Sequence, residues 1–134
     1  MIRWLFILFL VPALSAAQAP FAIVELFTSE SCASCPAADS VLTELKKDVE
    51  KRGSKVYFLE YHVDYWNKTG WKDPHSKNQF TLRQENYSRV LPGKEMYTPQ
   101  FVINGSREVN GAGSLAVRAA LSKEMRTQRF AISI

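Results

Sequence analysis

A chain of 134 residues has room for one domain with a proper core but not for two. Its apolar share of 46% and charged share of 22% exclude a disordered chain. The net charge of +4 is modest and comes with no basic stripe or interleaved aromatics, so no nucleic-acid partner is expected.

The first nineteen residues read as an export signal. Arg3 supplies the positive end, Trp4–Leu14 is an apolar run, and Ala17-Gln18-Ala19 fits a signal-peptidase site. The run is shorter than the roughly twenty residues a membrane helix needs. Cleavage after Ala19 would leave residues 20–134 as the mature domain, secreted or periplasmic. Export would place Cys32 and Cys35, the only cysteines, where a disulfide persists.

Phe21–Thr28 is nearly continuous apolar sequence, as in a strand covered on both faces. A polar turn leads to Cys32-Ala-Ser-Cys35. Pro36 is tolerated only in the first turn of a helix and so places the helix start at the cysteine pair. Val41, Leu42, Leu45 and Val49 carry the helical period, Lys46, Lys47, Lys51 and Arg52 its solvated face, and Gly53 its end. Asp39 suits the positive end of the helix dipole. Val56–Val63 reads as a second buried strand, parallel to the first through a crossover.

The next segment is irregular and crowds Tyr65, Trp66 and Trp71 together. Asp73-Pro74 predicts the cap and first residue of a helix reaching Val90. Thr98-Pro99 precedes a strand at Gln100–Ile103. Asn104-Gly105 is a hairpin signal, and Arg107–Asn110 is the returning strand. Ser114 is expected to cap a helix from Leu115 to about Thr127, and Phe130–Ile134 reads as a last strand. The sum is an α/β fold in the order βαβα, then ββα: a four-stranded mixed sheet with helices on both faces.

That element order, with a C-x-x-C opening a helix and a Thr-Pro before a later hairpin, resembles the thioredoxin-like fold. Val24–Ser29, Cys32–Asp39, His62–Trp66, Gly70–Pro74 and Tyr97–Gln100 together resemble a narrower group, the secreted thioredoxin-like family DUF1223, whose name carries no activity. Members of that family usually continue into a further β-rich segment, so a chain ending at Ile134 reads as a truncated or minimal member.

Three chemistries compete for the cysteines. A structural disulfide closing about four residues stabilises by only about 2 kcal/mol, against about 4.7 kcal/mol for a loop of a hundred. A reversible thiol–disulfide pair makes better use of so short a loop. Cys32, the more exposed cysteine in the related fold, would attack as the thiolate, with the helix N-terminus lowering its pKa; Cys35 would resolve the mixed disulfide. A copper or zinc carrier needs more ligands. His62, His75, Met96 and Met125 are the other candidates, and none has ligand spacing to the cysteines, so neither metal nor cofactor is expected.

The thioredoxin resemblance implies further roles. Thr98-Pro99 would be cis, exposing the Thr98 backbone to an extended substrate and keeping metal ions off the thiolates. Glu25 resembles the buried acid that moves the inner cysteine's proton, although that acid is usually Asp and lies one residue closer; a strand-edge carboxylate facing water is the alternative. From their position alone, His62 and Asp64, expected on one face at a strand's C-terminal end, would tune the thiol or line the groove, with a structural histidine as the alternative; Tyr65, Trp66 and Trp71 would offer an apolar platform for substrate or roof the sheet. The expected activity is exported thiol–disulfide exchange with a protein or small thiol, with a membrane redox partner as a further candidate. A redox-inert binding module is the other alternative.

Overall fold

The computed structural model describes residues 20–127. The expected export signal and the expected strand at Phe130–Ile134 lie outside them. The elements are β1 (Phe21–Thr28), α1 (Cys35–Arg52), β2 (Lys55–His62), a 3-10 helix (Tyr65–Thr69), α2 (Asn78–Val90), β3 (Gln100–Ile103), β4 (Arg107–Asn110) and α3 (Ser114–Arg126). The sheet order is β2-β1-β3-β4. β1 and β2 are parallel, whereas β3 runs antiparallel to both β1 and β4. This mixed α/β sheet is consistent with the thioredoxin-like arrangement.

Side-chain alternation along β1 sorts the core into two layers. Ala22, Val24 and Leu26 pack with Leu42 and Leu45 of α1 and Val117 and Leu121 of α3. Phe27 faces the other way, with Val63, Leu91 and Val102, and Tyr87 of α2 packs against that group. Helices therefore cover both faces, α1 and α3 on one and α2 on the other.

The local signals act as their chemistry dictates. Pro36 occupies the first turn of α1, and Gly53 closes it at φ 61°, its N–H donating to the Glu50 carbonyl. Asn104 and Gly105 take φ of 52° and 64°, the left-handed pair a tight hairpin turn requires. The Asn104 side chain also accepts the Ile23 N–H at 2.8 Å, tying the hairpin to β1.

Two helix starts differ from expectation. α2 begins at Asn78, not at Pro74. Asp73 instead makes a turn with its own backbone: its Oδ1 accepts the His75 N–H at 2.8 Å, and its carbonyl accepts the Ser76 N–H. Lys77 is then extended, with φ −141°, and its N–H reaches the His62 carbonyl, so the chain joins β2 before it coils. Ser114 is the first residue of α3 and not its cap, a position held by Gly113. The irregular stretch after β2 contains a 3-10 helix that the sequence pattern did not reveal.

Candidate functional site: a cysteine pair beneath a threonine–proline loop

Cys32 and Cys35 form a disulfide with their Cα atoms 5.4 Å apart. Cys35 is the first residue of α1; Cys32 sits in the turn before it and accepts the Cys35 N–H on its carbonyl. The pair therefore stands where α1 begins, at the C-terminal end of β1. Both cysteines are buried, Cys32 at 2% exposure and Cys35 at 0%.

The loop before β3 supplies Thr98 and Pro99, joined by a cis peptide bond. The Thr98 hydroxyl donates to Cys32 Sγ at 3.3 Å and accepts the indole Nε1–H of Trp66 at 2.8 Å. Trp66 thus joins the cysteine site through the hydrogen bond of its indole N–H. Tyr65 lies beside it, the two rings 6.3 Å apart. The Tyr65 hydroxyl donates to Gln84 Oε1 at 3.2 Å. Burial raises the Tyr65 pKa, and its contact with the Thr98 hydroxyl opposes that rise.

Below the loop lies a buried amide network absent from the sequence reading. Gln84 of α2 donates to the Tyr97 carbonyl at 2.7 Å and to Gln100 Oε1 at 2.8 Å. Gln100 donates in turn to Glu108 Oε2 and to the Glu95 carbonyl. Both glutamines are fully buried, so each bond avoids the cost of a stranded polar group. The available signal was a glutamine at a core position: Gln84 falls in the helical stripe with Phe80 and Tyr87.

Trp71 does not join Tyr65 and Trp66. It is 59% exposed, and its indole N–H donates to Glu30 while its carbonyl accepts the Ser31 hydroxyl at 2.8 Å. Its loop therefore braces the turn that carries Cys32. Asp73 makes the same junction from inside. Buried at 1% exposure, it accepts the Glu30 N–H at 2.9 Å and His62 Nδ1–H at 2.6 Å. Burial opposes ionisation of Asp73, but these bonds and the His75 N–H outweigh it and hold the carboxyl below its usual range.

His62 and Asp64 are not brought together. His62 pairs with Thr28 in the parallel register and so faces α1, toward Asp73. Asp64 lies past the strand end and accepts the Thr81 hydroxyl of α2 at 2.5 Å. Asp39 of α1 accepts the Thr28 hydroxyl at 3.3 Å. Burial raises the Asp39 carboxyl; the Thr28 bond opposes this, the Glu60 charge adds to it, and His62 opposes it.

Glu25 is buried at 2% exposure, which removes the water-facing alternative. It projects to the α2 face, away from α1. Arg83 holds it through Nε at 2.7 Å and Nη2 at 2.5 Å, and the Tyr87 hydroxyl donates to its other oxygen. Both carboxylate oxygens of Glu25 are thus taken up by α2, through Arg83 and Tyr87. Burial, then the bond to Glu25, pushes the Tyr87 pKa up to about 12.

Among the described residues, no group of three or more His, Cys, Asp and Glu side chains is placed to share a metal ion. His75 faces Glu30 at 4.0 Å, and Met125 packs against the α1–α3 core layer.

A family model described as a protein of unknown function, DUF1223, matches residues 23–134. A crystal structure of a protein from Agrobacterium tumefaciens is similar at 40% identity and a TM-score of 0.70, covering 83% of this chain and 48% of that one. The chain thus spans about half the length of that protein. No curated protein matches.

Proposed function

The chain belongs to DUF1223, a family described as proteins of unknown function, and we propose that this member is an exported thiol–disulfide oxidoreductase. The observation that carries the reading is the Cys32–Cys35 disulfide at the start of α1, with Thr98 bonded to Cys32 Sγ from the loop before β3. A disulfide closing so short a loop adds little as a staple. The same pair at a helix N-terminus favours a thiolate and so reversible exchange.

In the reduced form, the Cys32 thiolate attacks one sulfur of a substrate disulfide. The new S–S bond replaces the substrate's own, and the departing sulfur takes a proton from water. Cys35, losing its proton, then attacks Cys32 Sγ. The second substrate thiol leaves, and the intramolecular disulfide is restored. Two electrons pass to the substrate in this direction, and oxidation of a dithiol substrate is the reverse sequence. Pro99 shapes the groove beside Cys32, and the Thr98 backbone pairs with an extended substrate segment. The substrate is a protein or small thiol or disulfide, and a membrane redox partner resets the pair.

The burial of both sulfurs favours one competing reading, a redox-inert binding module with a permanent disulfide. Turnover separates the two. The oxidoreductase reading expects catalysed reduction of a peptide disulfide by dithiothreitol, abolished in Cys32→Ser. The inert module gives no rate above the uncatalysed reaction. The copper or zinc carrier draws less support, because among the described residues no group of three or more His, Cys, Asp and Glu side chains is placed to share a metal ion.

A further inference from the structure

We propose that Trp66 is a positioning residue for the thiol chemistry, acting through the Thr98 hydroxyl to stabilise the Cys32 thiolate. This rests on the oxidoreductase reading and adds a device to its site. An indole N–H donates and cannot accept, whereas a hydroxyl has one proton and two lone pairs. With Trp66 Nε1–H seated on Thr98 Oγ1 at 2.8 Å, the hydroxyl's own proton must point elsewhere. Cys32 Sγ lies in the donating direction at 3.3 Å.

The Tyr65 oxygen also lies beside that hydroxyl, and the two acceptors compete for one proton. A sulfur in a disulfide is a weak acceptor and a thiolate is a strong one. The hydroxyl therefore serves the sulfur most when Cys32 carries charge. Its bond strengthens on reduction and deprotonation, the state that attacks substrate.

Trp66 is well built for this. It sits in the 3-10 helix directly after β2 and packs against the Phe27 and Val63 layer, which limits its motion. Titratable groups near this end of the sheet have partners of their own. Asp39 bonds Thr28, His62 bonds Asp73, Glu30 bonds Trp71, and Tyr65 bonds Gln84. Thr98 is a side chain that reaches Cys32 from across the fold; Ser34, a neighbour in the turn, lies farther off at 3.6 Å.

The test is the ionisation of Cys32 in the reduced protein, read by thiolate absorbance against pH in a Cys35→Ser background. Thr98→Val should lower the thiolate fraction about tenfold at a pH below the midpoint, and Trp66→Phe about threefold. Thr98→Ser, which keeps the hydroxyl, should restore the original midpoint. The double variant Thr98→Val/Trp66→Phe should match Thr98→Val alone, since both act on one bond. A Trp66→Phe midpoint equal to that of the parent overturns the proposal, as does a double variant whose losses add. Should Trp66→Phe fail to fold, the parent protein answers. The Trp66 indole N–H resonance must move with the midpoint of Cys32, and a resonance indifferent to that titration refutes the link. Failure here leaves the turnover assay of the oxidoreductase reading unaffected, so the two claims fail separately.

Discussion

The Gly111 N–H donates to the Pro99 carbonyl at 2.9 Å, which places the residue after β4 flat against the loop over the cysteines. A Cβ at Gly111 would lie 2.8 Å from Pro99 Cβ and 2.9 Å from Ala38 Cβ. Both neighbours are fixed, one in the loop and one in α1 behind Cys35. Gly111→Ala should therefore cost about 1–3 kcal/mol in chemical denaturation, as overpacked cores do. It should also slow disulfide turnover by moving Pro99. An unchanged denaturation midpoint would mean that the loop yields freely.

Asp73 predicts the acid limb of the stability curve. Its carboxyl is held below the usual range in the folded protein. As pH falls, the unfolded chain therefore binds this proton first. The stabilisation is complete above the ordinary carboxylate pKa of about 3.9, and it is lost as pH drops through the lower folded value. Asp73→Asn should flatten that loss in denaturation curves taken across the acid range. Asp39 carries the opposite sign: its raised carboxyl makes stability fall as pH rises from the ordinary value through the folded one. Asp39→Asn should remove that small decline.

Glu25→Gln leaves Arg83 and Tyr87 without their carboxylate. Arg83 is nearly half exposed, so the loss should be about 1–3 kcal/mol and not the full cost of an isolated buried charge. Tyr87 should then titrate below its present value of about 12, yet above an ordinary tyrosine, because burial is the larger cause of its shift. Spectrophotometric titration of the phenol reads this directly. Cys32 ionisation should be unchanged, since the Glu25 carboxylate is committed to Arg83 and Tyr87.

Gln84→Leu would strand the Tyr97 carbonyl and Gln100 Oε1. A loss of about 2 kcal/mol is expected from two weakened buried acceptors. Amide hydrogen exchange should rise at residues 95–99 while the centre of β1 stays protected. Equal exchange in both regions would assign Gln84 no special hold on the loop.

The strand–helix–strand core and the hairpin were legible because their signals are local. Continuous apolar runs, Pro36, Gly53 and Asn104-Gly105 each constrain the backbone within a few residues. The Thr98-Pro99 loop beside the cysteines was legible through family resemblance. What stayed hidden depends on partners far along the chain. Glu25 finds Arg83 58 residues later, and Trp66 finds Thr98 32 residues later. Asp73-Pro74 was misread because an Asp-Pro pair serves a turn as readily as a helix start. The buried carboxylate, held by His62 and two backbone amides, chose the turn.

The reduction potential of the Cys32–Cys35 pair, measured by equilibration against glutathione or dithiothreitol, tests the central claim most directly. A pair that cycles reversibly between about −270 and −120 mV, the span of dithiol catalysts, is the predicted result. A potential below about −300 mV, where structural disulfides lie, would contradict the account and leave a permanently oxidised module.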